Sequence, residues 1–169
     1  MPKSQYLKFA TFDFVEGTKN EVRATPLSVD MERTLMSVKE AKLQADIVSV
    51  SIHSHQFKGN GKHNTPDFIR IFAHKCIDAW ADIIVCHGPH VMRGIEQYNT
   101  GIIFHGLGDF FLELDTIKRV REEDYLMAGT RSSECFGFGG LVKHRSKDGK
   151  IGLVADEDVW ISYFVGVIL

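Results

Sequence analysis

Asp46-Ile47-Val48-Ser49-Val50-Ser51-Ile52-His53-Ser54-His55 and, about thirty residues further on, Asp82-Ile83-Ile84-Val85-Cys86-His87-Gly88-Pro89-His90 are the two stretches whose reading decides the fold. Each is a short β-branched or apolar run that ends in a polar turn, so each predicts a strand with histidines at its C-terminal end. Between them, Gly59-Asn60-Gly61 marks a loop. Thr65-Pro66-Asp67 then supplies an N-cap, a proline at the first helical position and an early acid, with Phe68, Ile71, Phe72, Cys76 and Ala79 on one face of the helix that follows. Strand, helix, strand implies a right-handed parallel crossover. Such a unit brings both histidine clusters to one edge of one sheet, where ligands of open α/β sheets usually bind.

Upstream, Asp30 is an N-cap candidate, followed by Met31, Leu35, Val38, Ala41 and Ala45 at the spacing of an amphipathic helix of about four turns. Before it, short apolar pieces (Phe9 to Val15, then Val22) alternate with turn formers up to Pro26, which predicts a strand there. Downstream, Val91 to Tyr98 and Gly101 to Phe104, joined by Asn99-Thr100, predict a hairpin. Lys118 to Asp124 reads as a solvated loop or helix end. Gly137 to His144 and Ile151 to Val154, flanking Lys147-Asp148-Gly149, predict a second, terminal hairpin. Val159 to Leu169 is unusually apolar; it needs a covering neighbour or marks an artificial terminus.

The composition sets limits on all of this. With 169 residues, 44% of them hydrophobic and 25% charged, the chain has room for one domain spanning 1–169 with a sizeable core. A formal charge of −2 argues against a sequence-independent nucleic-acid partner, which needs an excess of Lys and Arg. Three cysteines, Cys76, Cys86 and Cys135, form no C-x-x-C pair and leave an odd one over, so they read as reduced and buried. No run approaches the roughly 18 apolar residues of a membrane helix, and the polar N-terminus lacks a signal-peptide core.

His53, His55, His87, His90 and His105 all follow predicted strands. Imidazole is a common ligand for zinc, manganese and iron, so histidines converging on one sheet edge suit a divalent-metal cluster. A histidine after a strand is also commonly just a hydrogen-bonded surface residue, and His63, His74 and His144, which lack the shared position, are assigned that role. Asp109, in a glycine-flanked turn, either orients a ligating histidine or caps the turn.

Three motifs in order, Val50-Ser51-Ile52-His53-Ser54-His55, Val85-Cys86-His87-Gly88-Pro89-His90-Val91-Met92-Arg93-Gly94-Ile95-Glu96 and Ile103-Phe104-His105-Gly106-Leu107-Gly108-Asp109-Phe110, resemble the CapA family. That family is named for poly-gamma-glutamate capsule synthesis and is a branch of the calcineurin-like metallophosphoesterases. The resemblance is strongest over residues 30–115. It implies an α/β sandwich of two sheets with flanking helices, of which this chain is the C-terminal half. It also implies a two-metal centre, of Mn, Zn or Fe, that activates water against a phosphate ester.

Carried over by position, His53, His87 and His90 fall on metal ligands. His55 becomes a substrate-contact or ligand-supporting residue, Arg93 a contact for an anionic group, and Asp109 a support for a ligand. Cys86 stands where Gly is usual, and His105 and Asp109 stand where Tyr and Asn are common. The Asp-x-His, Gly-Asp and Asn-His motifs that supply the first ligands have no counterpart upstream of His53.

The isolated chain is therefore expected to be weak or inactive. Its missing ligands would come from an N-terminal half or a second chain, and its substrate would be a phosphate ester or polyglutamate-related. A non-catalytic binding or assembly module, or a truncated fragment that keeps the fold, is the alternative; a mononuclear zinc hydrolase is a third. The resemblance associates the family with the cell envelope.

Overall fold

The computed structural model describes residues 6–9, 12–15, 18, 24–113 and 116–166. Tyr6–Phe9 (β1) and Phe12–Val15 (β2) pair antiparallel, with Tyr6 opposite Val15 and Phe9 opposite Phe12. The early strand expected from the turn-punctuated apolar pieces is thus a hairpin; Val22 lies outside the described residues.

Ser28–Lys42 forms α1. It starts two residues before the expected cap, so Asp30 sits inside the first turn, where its carboxylate favours the positive helix end. Met31 and Val38 are buried with Leu35 and Ala41 beside them, whereas Ala45 lies beyond the helix and is exposed.

Ser49–His53 (β3), Asp67–Asp78 (α2) and Ile83–His87 (β4) realise the strand–helix–strand unit, with β3 and β4 parallel. Pro66 takes the extended position before α2, one residue earlier than expected. The buried stripe of α2 is Ile69, Ala73, Cys76 and Ile77, while Ile71 is 46% exposed. At about 100° per residue, position 71 lies opposite position 69, so Ile71 does not belong to the inward face it was assigned.

Ile95–Tyr98 (β5) and Gly101–Phe104 (β6) form the expected antiparallel hairpin, with Asn99 at φ 50° in its turn. The sheet order is β3-β4-β6-β5, and β6 runs parallel to β4. Strand alternation sends Val48, Ile84, Cys86 and Ile103 to one face, where they form a core with α2 and Val38. The other face presents Ser49, Ser51, Ile83, Val85, Ile102 and the histidines. Lys42 pins the end of α1 to Asp82 at 2.8 Å, and the same carboxylate accepts the Val48 N–H.

The C-terminal third departs from expectation. Lys118 to Asp124 leads into a short helix, Glu122–Met127 (α3), with three acids in its first turn. Gly137 to His144 is not a strand but the body of helix α4, Gly137–Arg145, and Leu153–Ala155 is a 3₁₀ turn. Lys147, Asp148 and Gly149 do form a turn, all at positive φ, but it closes a helix. The Lys147 and Asp148 amides donate back to His144 and Lys143, and Ser146 Oγ accepts from Gly149 N–H. A Lys-Asp-Gly sequence reverses the chain after a helix as readily as between two strands. The basic last turn, Lys143 to Arg145, and the buried Leu141 favour the helix. Val159 is buried, whereas Trp160, Ile161 and Phe164 remain exposed; residues 167–169 lie outside the described residues. Among the described residues no helix is long and apolar enough to cross a membrane.

Candidate functional site

In the β3–β4 register His53 stands directly opposite His87, at the C-terminal ends of two parallel strands. Period-two alternation puts Ser51 on the same face, two residues before His53. The Ser51 hydroxyl meets His87 Nε2 at 2.8 Å. His53 Nδ1 lies 2.8 Å from His87 Nδ1, and His53 Nε2 lies 3.0 Å from His55 Nε2. The rings of His55 and His90 follow, with centroids 5.2 Å apart.

The chain can wrap this tightly because Gly88 adopts φ 109°. A Cβ there would stand 3.0 Å from His53 Nε2 and from the Ser54 carbonyl. Its neighbours are fixed by the Ser54 N–H donating to the His87 carbonyl, and His90 itself has φ 58°. Glycine is needed here both for its dihedral and for its bareness.

His90 Nδ1 meets Asp109 Oδ2 at 2.8 Å, and both side chains are half-buried. A carboxylate on one imidazole nitrogen fixes the tautomer and presents the other nitrogen as a lone pair, as at metal-ligating histidines. Two nitrogens on a single cation, with bonds of about 2.0–2.1 Å, stand about 3.0–3.4 Å apart. The His53–His87 and His53–His55 separations therefore suit a shared proton or, with slight relaxation, adjacent positions on a cation. His53 uses a different nitrogen for each neighbour, so the three rings do not share one point. Among the described residues no three His, Cys, Asp or Glu groups converge as a cage. The histidines fit part of a metal shell and leave the oxygen donors to be supplied by other groups. Burial, and secondarily the nearby His53, lowers the pKa of His87, which favours the neutral form a ligand needs.

Arg93 is buried at 7% exposure. Its Nε donates to the Lys62 carbonyl at 2.8 Å and its Nη2 to the Gln56 carbonyl at 2.9 Å. It thereby ties the loop that continues from His55 to the segment that continues from His90. The same loop is held from the C-terminal side: Lys62 pairs with Asp156, and His63 with Asp158 at 2.9 Å.

His105 stands apart from the other four strand-end histidines. It is buried, with Nε2 on Glu96 Oε2 at 2.8 Å, while His74 takes Glu96 Oε1 at 2.7 Å and stacks flat on Tyr98. His105 follows β6 by one residue, so alternation turns it to the side of Glu96 and Tyr98. Cys76 and Cys86 are free and buried, and burial pushes their thiols up to about 11 and about 12, which keeps them protonated; Cys135 is only half-buried. Ser51, Gly88 and Glu96 lie within the quoted motifs, but sequence reasoning assigned them no role. Counting strand alternation back from His53 finds Ser51.

A family model described as bacterial capsule synthesis protein PGA_cap matches residues 5–113, and so extends upstream of the motif-bearing stretch to include β1 and β2. The PGA biosynthesis protein CapA of Bacillus subtilis is 42% identical over 87 residues, which is 52% of this chain and 22% of that protein. The capsule biosynthesis protein CapA of Bacillus anthracis is 34% identical over 91 residues, 52% of this chain and 21% of that one. An uncharacterized protein of Sinorhizobium fredii is 40% identical over 84 residues, half of this chain and 18% of its own length. These matches each span about a fifth of the relative.

Proposed function

The chain belongs to the bacterial capsule synthesis protein PGA_cap family, and we propose that it contributes the histidine side of a divalent-metal centre acting on a phosphate ester during assembly of a capsule polymer. The observation that carries this reading is the run of imidazoles His55, His53 and His87 in nitrogen-to-nitrogen contact at one sheet edge, with His90 next in line and backed by Asp109. When bound, a divalent cation of the Mn, Zn or Fe type supplies a Lewis acid and a water of lowered pKa.

In this reading His53, His87 and His90 are ligands, and His55 stands beside them toward substrate. Asp109 holds the proton of His90 so that its far nitrogen faces outward. Arg93 keeps the two histidine-bearing loops together from below. The oxygen ligands that balance the charge come from protein outside this chain, an N-terminal half or a second chain, consistent with the fifth of its relatives that it spans. A non-catalytic binding or assembly module is the second reading, and the lack of a three-ligand cage among the described residues favours it for the chain alone.

The deciding measurement is metal per chain after loading with manganese or zinc, for wild type and a His53→Ala, His87→Ala double variant, beside an aryl-phosphodiester assay. Retention of about one or two ions, lost in the variant, supports the metal reading. Equal metal in both proteins overturns it and leaves the module.

A further inference from the structure

The apolar stretch near the C-terminus lies beyond the residues 5–113 that the family model matches, yet its described part reaches both loops of the histidine edge. At its start, Asp156 pairs with Lys62, and Asp158 pairs with His63 at 2.9 Å and with Lys62 at 3.5 Å. Lys62 is the residue whose carbonyl Arg93 holds, so this end is tied to the loop that continues from His55. Further on, the Tyr163 N–H donates to the Leu107 carbonyl and the Tyr163 hydroxyl to the Gly106 carbonyl, each at 3.4 Å. The Phe164 ring meets Phe110 edge-on, with centroids 4.5 Å apart. This second end is tied to the loop of Asp109, on both sides of that residue. Gly108 marks how close the approach is: a Cβ there would stand 2.5 Å from the Ile161 carbonyl.

The same segment walls a cavity of about 950 Å³ over the open face of the sheet. Val85, Ile102 and Phe104 line it from the sheet, Tyr163 and Phe164 from the segment, and His87 from the strand end. The segment's grip is nonetheless weak. Val159 is buried, but Trp160, Ile161 and Phe164 are exposed. The ion pairs lie on partly exposed groups, where such pairs contribute little and salt screens them, and both Tyr163 bonds are long. A segment with few buried contacts and exposed bonds opens locally before the core does. The sheet beneath does not depend on it, since Ile84, Cys86 and Ile103 pack on the opposite face with α2.

We propose that residues 156–166 are a strap latched across the open sheet face beside His87, and that its release, without unfolding of the sheet, uncovers that face and frees the loop carrying Asp109. Closed, the strap joins the loop after His55 to the loop of Asp109 and so holds the two sides of the histidine edge at a fixed separation. Open, it gives access to the apolar face and lets Asp109 move relative to His90. The two ties act together because one short extended segment carries both.

The test is limited chymotrypsin digestion of the full chain in chelator, with initial cleavage rates at each site read by mass. One variant combines Asp156→Asn with Asp158→Asn; it unlatches the first tie while the amide at 156 can still accept the Asp158 N–H. The other, Phe164→Ala, loosens the second tie. None of these side chains is buried, so the core is left untouched. In either variant, cleavage after Trp160 and after the exposed Phe110 or Phe111 should accelerate together, by about threefold or more, while cleavage after the buried Phe104 stays at the wild-type rate. Faster cleavage after Trp160 alone would mean that the segment does not restrain the loop of Asp109, and wild-type rates throughout would mean that these contacts do not latch it; either overturns the proposal. Acceleration at Phe104 in step with the other sites would mean that the sheet itself opens, and overturns it too. No metal takes part, so the outcome is independent of the metal reading, which is tested by metal content.

Discussion

The edge formed by His53, His55, His87 and His90 and the cluster formed by His74, His105 and Glu96 use the same side chain under opposite rules. At the cluster each imidazole meets a carboxylate oxygen, at 2.7 and 2.8 Å, so both oxygens of Glu96 are taken and one nitrogen of each ring is tied to a fixed acid. At the edge, imidazoles face each other. Such contacts are satisfied only by a shared proton or by a cation, and among the described residues Asp109 is the one carboxylate hydrogen-bonded to them. The difference separates histidines that hold a fold from histidines that wait for something. It also gives the two regions different expected responses to substitution.

The largest effect should come from the residue beneath both loops of the edge. Arg93→Ala removes a buried side chain and leaves the Gln56 and Lys62 carbonyls without their donor, which should cost about 3 kcal/mol in urea unfolding. Arg93→Lys should recover only part of that, because one ammonium cannot reproduce the fork. A cost below about 0.5 kcal/mol would show that the loop is held by Lys62, His63 and their aspartates instead.

Glu96→Ala comes next and tests the comparison directly. It strands the buried His105 and the half-buried His74, at a cost of about 2 kcal/mol. His53→Ala, in metal-free protein, removes no satisfied carboxylate bond and should cost less than about 1 kcal/mol. Equal losses in the two variants would erase the distinction between structural and waiting histidines.

Gly88→Ala should cost about 1–2 kcal/mol from the left-handed dihedral and the 3.0 Å approach to His53 and Ser54. It should also lower metal retention at the edge while leaving the contacts of Glu96 with His74 and His105 intact. Loss at both sites would mean that the substitution damages the whole sheet.

Much of this architecture was legible in the sequence, and for a physical reason. Runs such as Ile47 to Ile52 and Ile83 to Cys86 have few competing readings, and the 34 residues from His53 to His87 leave room for one crossover helix. The C-terminal third was not legible. Gly137 to Leu141 has no clear period, and Lys147-Asp148-Gly149 signals a reversal of the chain without saying whether a strand or a helix precedes it. At the site, strand ends located His53 and His87, but only tertiary contact reveals that His105 turns to Glu96 and that Arg93 is spent on two carbonyls. A sequence shows where a side chain is delivered; its partner lies on another element.

The smallest expected effect is a pair of acid-stability windows, and it separates the two regions without removing any loop contact. The pKa of His87 is lowered from its ordinary 6.5 by burial and by His53. Between the unfolded and folded values the unfolded chain binds more protons, so stability falls as pH drops from about 6.5 through the lowered value. Glu96 also has its pKa lowered, from 4.5, because the bonds from His105 and His74 outweigh burial. Its contribution is fully present above about 4.5 and is lost as pH falls through the folded value. Both groups weaken the fold on acidification, but in separate ranges. Urea midpoints followed from pH 7.5 to 3.5 should therefore decline in an upper stage that His87→Ala flattens and a lower one that Glu96→Gln reduces. The rest of the lower stage comes from Asp82 and Asp158, whose pKa values are also lowered. Bound metal at the edge would deepen the upper stage, since protons compete with the cation for His87, and would leave the lower one as it was. A single decline, removed by neither substitution, would mean that the two regions do not differ in how their protons are held.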